Sequence, residues 1–353
     1  MRKLAKQTGR QKILPEIQPN NPKRGINIKM ERKTLYAAID NRKVAIVGAG
    51  SVGSSIAYAL TIRNLANDII LIDIDSKRAM GEAMDIQHGI PYMGRSSVRA
   101  GDYSDCKNCD LIIITAGRPR RPGETRLDMI SDNVGILKDV VDNIKPYYTH
   151  SVIMVVSNPV DILTYKVDEW MGLPNGMVFG TGCILDTSRL VRSIADYIHI
   201  NTEAIKCVIA GEHGDSQFPV WSRLTIAGMS MDDYCRNVGL EWGDKQKDFL
   251  YEKVKNMGAT IIGAKGRTHY GIATCVCSLA DAILNQRPTI APVTSPLQGE
   301  YGIERVSLSI PSIVGVRGIE HRLEETWSDK EAEMLRMSAK TLDGKLRELE
   351  EVL

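Results

Sequence analysis

Residues 44–56 read VAIVGAGSVGSSI, a β-branched run that turns on glycines 48, 50 and 53 and opens into a stretch of helical character. Gly48 permits a tight turn, Gly50 lets the backbone approach a ligand closely, and Gly53 lets the helix lie against the sheet. The helix start, at Ser51 and Val52, then faces an anion such as a pyrophosphate with its unpaired N–H groups. Glycine turns are common, but Asp73 stands 20 residues beyond Gly53, at the end of the next β-branched run. A carboxylate there accepts hydrogen bonds from both ribose hydroxyls and repels a 2′-phosphate. The constellation implies a parallel α/β unit that binds NAD in preference to NADP.

The rest of the chain extends that pattern. Apolar runs at 68–74, 111–115, 151–156 and 205–210 alternate with amphipathic stretches such as 129–144. Strands separated by helices indicate βαβ units around a parallel sheet buried on both faces. Thr115, Ala116 and Gly117, leaving the 111–115 run, are expected to border the cofactor. Beyond residue 205 the alternation loosens: 303–310 reads as an antiparallel strand, and 328–352 as a long terminal helix with Leu335, Leu342, Leu346 and Leu349 on one side. The expected fold is α/β, a Rossmann-type sheet at 41–180 followed by an α+β catalytic domain at 181–353.

Charge sets residues 1–40 apart. The 353 residues carry a net charge of +2, yet residues 1–43 hold 12 Lys/Arg against 3 Asp/Glu, which leaves a net −7 for the remainder. The basic character belongs to an extension, expected to be flexible, and not to a folded face that would bind nucleic acid. No apolar run approaches the roughly 18 residues needed to cross a bilayer. Seven cysteines in a chain of this length do not read as a disulfide framework, and a reducing cytoplasm is the expected setting. Cys106 and Cys109 have redox or zinc spacing, but no second pair accompanies them and no metal is expected.

Three segments concentrate polar groups that a plain core would not bury: GRPRRPGETRLD (117–128), GCILDTSR (182–189) and GEHGDSQFPVWS (211–222). Asp186 and Arg189, three apart, share a helix face. Residues 117–127, with two glycines, two prolines and four arginines, read as a mobile loop. On these motifs the chain from about Arg42 onward resembles the L-lactate/L-malate dehydrogenase family.

The resemblance implies roles residue by residue. His213 matches the general acid–base, Asp186 the carboxylate that orients it, and Arg189 the arginine that grips the substrate's C1 carboxylate. Arg126 matches the loop arginine that polarises the carbonyl, and Asn158 the asparagine beside the nicotinamide. Thr181 and Ile272 match nicotinamide neighbours, and Thr268 lines the substrate pocket. His88, His150, His199, His269 and His321 are read as surface or core residues. Arg120 matches the position facing the substrate's C3 substituent, where an arginine favours oxaloacetate and L-malate. The alternative is pyruvate and L-lactate, which GETRLD, GEHGDSQFPVWS and Thr268 favour. An alternative of another class is a catalytically silent NAD-binding sensor. A homotetramer or homodimer is expected. The fructose-1,6-bisphosphate site of bacterial members would need two basic residues where this chain has Val191 and Lys206, so that activation is not expected.

Overall fold

The computed structural model describes residues 42–118 and 126–352, with the backbone alone for Arg126, Leu127 and Val352. The basic extension at 1–40 and Arg120 lie outside the described residues. Strands β1 (Lys43–Val47), β2 (Asp68–Ile72) and β3 (Ser97–Ala100) alternate with helices α1 (Ser51–Ile62) and α2 (Ser76–Met93). The second half of the unit runs β4 (Leu111–Ile114), α3 (Arg126–Ile144), β5 (Val152–Val155), α4 (Val160–Met171) and β6 (Val178–Gly180). These six strands are parallel in the order β3-β2-β1-β4-β5-β6. The order reverses between β1 and β4, and ligands bind such sheets outside the carboxyl ends of the strands at that reversal.

The near-continuous apolar runs are explained by burial on both faces. Ala45, Ile70, Ile112 and Ile153 pack into one cluster with residues of α3 and α4. Val44, Ile69, Leu111 and Val152 pack into another with Ile56 and Leu60 of α1. Each strand therefore feeds two cores by alternation, which only apolar residues at every position allow.

Beyond β6 come α5 (Ile184–Ile198) and five short strands, β7 (Ile205–Lys206), β8 (Ile209–Ala210), β9 (Phe218–Pro219), β10 (Thr225–Ile226) and β11 (Met229–Ser230). Helices α6 (Met231–Val238), α7 (Asp244–Lys265) and α8 (Tyr270–Leu284) follow. Strands β12 (Thr289–Gln298), β13 (Glu304–Gly315) and β14 (Gly318–Arg322) then extend the large sheet beyond β6 as antiparallel neighbours. The chain ends in α9 (Asp329–Val352), whose Leu335, Leu342, Leu346 and Leu349 are all buried. Among the described residues no helix is long and apolar enough to cross a membrane.

Two sequence expectations need correction. The 205–210 run is not one strand: β7 pairs with β10 and β8 with β9. Ile205 and Ile209 pack into the cluster under α5, whereas Ala210 joins the main core, so the run changes partners midway. The loop expected to reach residue 127 ends sooner, because Arg126 and Leu127 already belong to α3. Asp128 in the first turn of that helix complements the positive end of its dipole.

Candidate active site

A cavity of about 620 Å³ opens at the carboxyl ends of β1, β2 and β4, against one side of α3. Gly48, Gly50, Asp73, Thr115, Ala116 and Gly117 line it. Gly48 adopts φ +109°, and a Cβ there would stand 2.7 Å from the Ala116 nitrogen, so only glycine fits this turn. A Cβ on Gly50 would meet nothing within 4 Å, so the backbone is open on that side. One on Gly53 would stand 1.9 Å from the Gly48 carbonyl oxygen, which explains why helix and turn pack so closely. Asp73 accepts the Ala49 N–H at 2.6 Å and the Asp75 N–H at 2.9 Å, pinning its carboxylate at the cavity edge. No side chain caps α1, which leaves its first N–H groups available for a phosphate. Diphosphate, ribose and base all find matching chemistry here, and these residues fit NAD. Arg78, Tyr103, Ile136, Asp139, Val140 and Asn143 also line the cavity, and sequence reasoning missed them. The α3 members carry a signal only in retrospect, as one face of the helix after the arginine-rich loop.

A second cavity, of about 430 Å³, gathers residues from distant parts of the chain. Val52, Asn158, Thr181, Asp186, Arg189, His213, Thr268 and Ile272 all line it. Asp186 sits in the first turn of α5, where the helix dipole favours a carboxylate, and Arg189 follows one turn later. The Asp186 carboxylate takes His213 Nδ1 at 2.6 Å on one oxygen and Arg189 Nη1 at 3.0 Å on the other. Burial acts to raise the Asp186 pKa, but the charges and hydrogen bonds of His213 and Arg189 outweigh it and hold the pKa below the usual carboxylate range. Burial likewise acts against an imidazolium at His213, yet the facing Asp186 carboxylate prevails and lifts its pKa above 6.5. An ionised carboxylate only accepts, so Nδ1 carries the proton and Nε2 remains for a ligand in the cavity.

The loop bearing His213 is fixed from three directions. Gly211 exchanges two backbone hydrogen bonds with Ser309 of β13, each 3.0 Å. The His213 N–H donates to Asp161 of α4 at 2.8 Å. From α9, Ser338 Oγ accepts the Glu212 N–H at 2.8 Å, and Lys345 pairs with the buried Glu212 carboxylate. Asp161 is itself buried, which pushes its pKa up to about 6. Asn133 of α3 ties the loop start to the pocket, accepting the Arg118 N–H at 2.9 Å and donating to the Asn158 carbonyl at 2.9 Å. Gln217, Lys255 and Gly258 border the second cavity as well. Glu212 and Gln217 lie in the polar segment 211–222, but Asn133, Asp161, Ser338 and Lys345 did not stand out in the sequence, because a buried polar side chain and an exposed one look alike there.

Ser51 opens α1 but borders neither cavity. Arg126 is placed by its backbone at the start of α3. His269, read as a surface or core residue, is half-buried and meets Ser55 Oγ of α1 at 2.9 Å through Nδ1. Cys106 and Cys109 are fully buried, and burial pushes both thiols up to about 12, as suits packing rather than redox chemistry.

A glycine-turn sheet for a dinucleotide, joined to a pocket holding a carboxylate–histidine pair and an arginine, defines an NAD-dependent dehydrogenase. Residues 42–180 match the family model for the NAD-binding domain of lactate/malate dehydrogenases, and residues 183–353 match its α/β C-terminal domain. The L-lactate dehydrogenase of Acetivibrio thermocellus is 40% identical over 309 residues, covering 88% of this chain and 98% of that protein. The crystal structure of MGS-M5, a lactate dehydrogenase from a deep-sea metagenome library, aligns with a TM-score of 0.85 at 36% identity, over 88% of this chain and 99% of that one. The L-lactate dehydrogenase of Clostridium thermocellum aligns with a TM-score of 0.77 at 44% identity, over 87% and 99% of the two chains. The chain belongs to the lactate/malate dehydrogenase family and is an oxidoreductase that acts on CH–OH groups with NAD.

Proposed function

We propose that the enzyme interconverts pyruvate and L-lactate, with Asp186, His213 and Arg189 at the centre of the reaction. The observation that carries the reading is their joint placement in one cavity, with His213 Nδ1 engaged by an ionised carboxylate. NAD held by the glycine turn and Asp73 would supply the hydride chemistry at C2 of the 2-oxo or 2-hydroxy acid. His213 gives its Nε2 proton to the C2 oxygen during reduction and, as the neutral ring, removes it during oxidation. Asp186 fixes the tautomer and stabilises the imidazolium. Arg189 has Nη1 on Asp186 and offers its remaining donors to the substrate's C1 carboxylate. Asn158 bonds the substrate oxygen, Thr181 and Ile272 border the nicotinamide, and Thr268 forms the pocket wall. Arg126, whose backbone opens α3, polarises the carbonyl.

This reading sets aside the malate preference expected from Arg120. Relatives across most of the chain's length are L-lactate dehydrogenases, including one of Clostridium perfringens at 42% identity over 302 residues. The test is kcat/KM for pyruvate and oxaloacetate in the wild type and in Arg120→Gln. Pyruvate should be preferred by the wild type. Any oxaloacetate reduction should then fall further in the variant, by roughly 1.5–3 kcal/mol of transition-state binding, the range for a charged hydrogen bond. A wild type that prefers oxaloacetate and loses that preference in Arg120→Gln would restore malate as the product.

The charge state of His213 sets the pH dependence. Reduction needs the imidazolium, so kcat/KM for pyruvate should fall as pH rises through the His213 pKa, which lies above 6.5. Lactate oxidation needs the neutral ring and should rise through the same pKa. Asp186→Asn removes the facing charge and should draw both limbs to lower pH. Limbs that stay in place would take Asp186 out of this role.

A homo-oligomer and a reducing cytoplasm belong to the same reading. Tyr58 and Ile62, one turn apart on α1, are exposed, which suits coverage by another subunit, and all seven cysteines are free thiols. Sedimentation of the full chain decides between dimer and tetramer.

A further inference from the structure

The turn joining α7 to α8, Gly266-Arg267-Thr268-His269, lies in the half of the chain that carries the substrate pocket, yet two of its side chains reach the dinucleotide half. Arg267 Nη1 donates to Ser51 Oγ at 2.6 Å, and His269 Nδ1 meets Ser55 Oγ at 2.9 Å. Ser51 and Ser55 are one turn apart on α1, so the turn lies along a single face of that helix. Ser51 is also the helix's first residue, directly after the glycine turn that approaches the cofactor. A guanidinium is thereby anchored on the first residue of a helix that no side chain caps.

The surrounding charges favour that use. Among the described residues no carboxylate pairs with Arg267. Lys265 stands in the same strip, with Nζ 3.2 Å from His269 Nε2. Burial, reinforced by the charges of Lys265 and Arg267, lowers the His269 pKa and so disfavours a third charge between them. Lys265 and Arg267 are both exposed, and together they make this strip positively charged next to the helix start. The diphosphate of NAD carries two negative charges, against which the helix end supplies the equivalent of roughly half a positive charge. Among the described residues lining the dinucleotide cavity, Arg78 is the one cation, and it belongs to α2 rather than to the glycine turn.

We propose that Arg267 is a cofactor-binding residue whose guanidinium reaches from the substrate half of the chain to pair with the diphosphate of NAD. The proposal rests on NAD binding and is independent of which 2-oxo acid is reduced. Because Thr268 follows directly and lines the substrate cavity, the same turn carries a cofactor contact and a substrate contact side by side.

Fluorescence titration of the full-length protein with NADH, and calorimetry with ADP-ribose and with adenosine, test it. Arg267→Met should weaken NADH and ADP-ribose by about 10-fold, a charged hydrogen bond discounted for solvent exposure, and leave adenosine unchanged. The loss should shrink as salt is raised. Arg267→Lys, which keeps the charge, should recover most of the affinity. Ser51→Ala, which keeps Arg267 and removes its anchor, should cost about 3-fold or less. Unchanged NADH affinity in Arg267→Met would overturn the proposal. Equal losses for ADP-ribose and adenosine would also overturn it, because they would mean that the turn only supports α1.

Discussion

His213→Ala should lower kcat for pyruvate reduction by roughly 100- to 10,000-fold, the usual contribution of a positioned general acid. NADH affinity should barely change, because the dinucleotide cavity does not include His213. The expected loss has two sources. Nε2 no longer supplies the proton, and Asp186 loses its 2.6 Å partner while keeping Arg189. His213→Gln, which keeps a polar group of similar reach, should rescue folding stability but not turnover. Stopped-flow NADH oxidation with saturating pyruvate reads the chemical step directly. A variant with near-normal kcat would remove His213 from the proton transfer and return the pocket to a binding role, as in the silent-sensor alternative.

Arg189→Met should act mainly on the substrate. Truncating one partner of a desolvated, hydrogen-bonded charge pair costs roughly 2–5 kcal/mol, which is about 30- to several-thousand-fold in kcat/KM. The loss should appear largely as a raised KM for pyruvate, with NADH affinity unchanged. Arg189→Lys should be intermediate, since it keeps the charge and loses the planar fork that binds a carboxylate with two parallel bonds. Asp186 would meanwhile lose the guanidinium that helps keep it ionised, so a modest drop in melting temperature accompanies the kinetic change. An unchanged KM in a folded Arg189→Met protein would show that another cation holds the substrate carboxylate.

The two variants probe residues whose roles the family resemblance supplies, whereas other features are legible in the sequence from local chemistry alone. The turn around Gly48, Gly50 and Gly53 is written in consecutive residues, because φ and steric room are properties of a few neighbouring peptides. Asp73 follows from the fixed rise of a βαβ unit, and the Asp186–Arg189 pair from helical spacing. Burial of a parallel sheet on two faces wrote itself into β1, β2, β4 and β5 as unbroken apolar runs. The leucine stripe of α9 is equally plain.

Tertiary structure decided what distant segments do to one another. That the 205–210 run divides between two sheets follows from which cores its residues meet, a matter outside the run itself. Asp161, Glu212, Ser338 and Lys345 hold the His213 loop through contacts that span α4 and α9, and no local pattern distinguishes such polar residues from solvated ones. The contact of Arg267 with Ser51 joins residues 216 positions apart. Local sequence sets backbone conformation and periodicity, whereas the electrostatic surroundings of a side chain depend on whichever charges and dipoles the fold brings near it. His213 was identifiable from its motif, but the elevation of its pKa exists only once Asp186 stands 2.6 Å away.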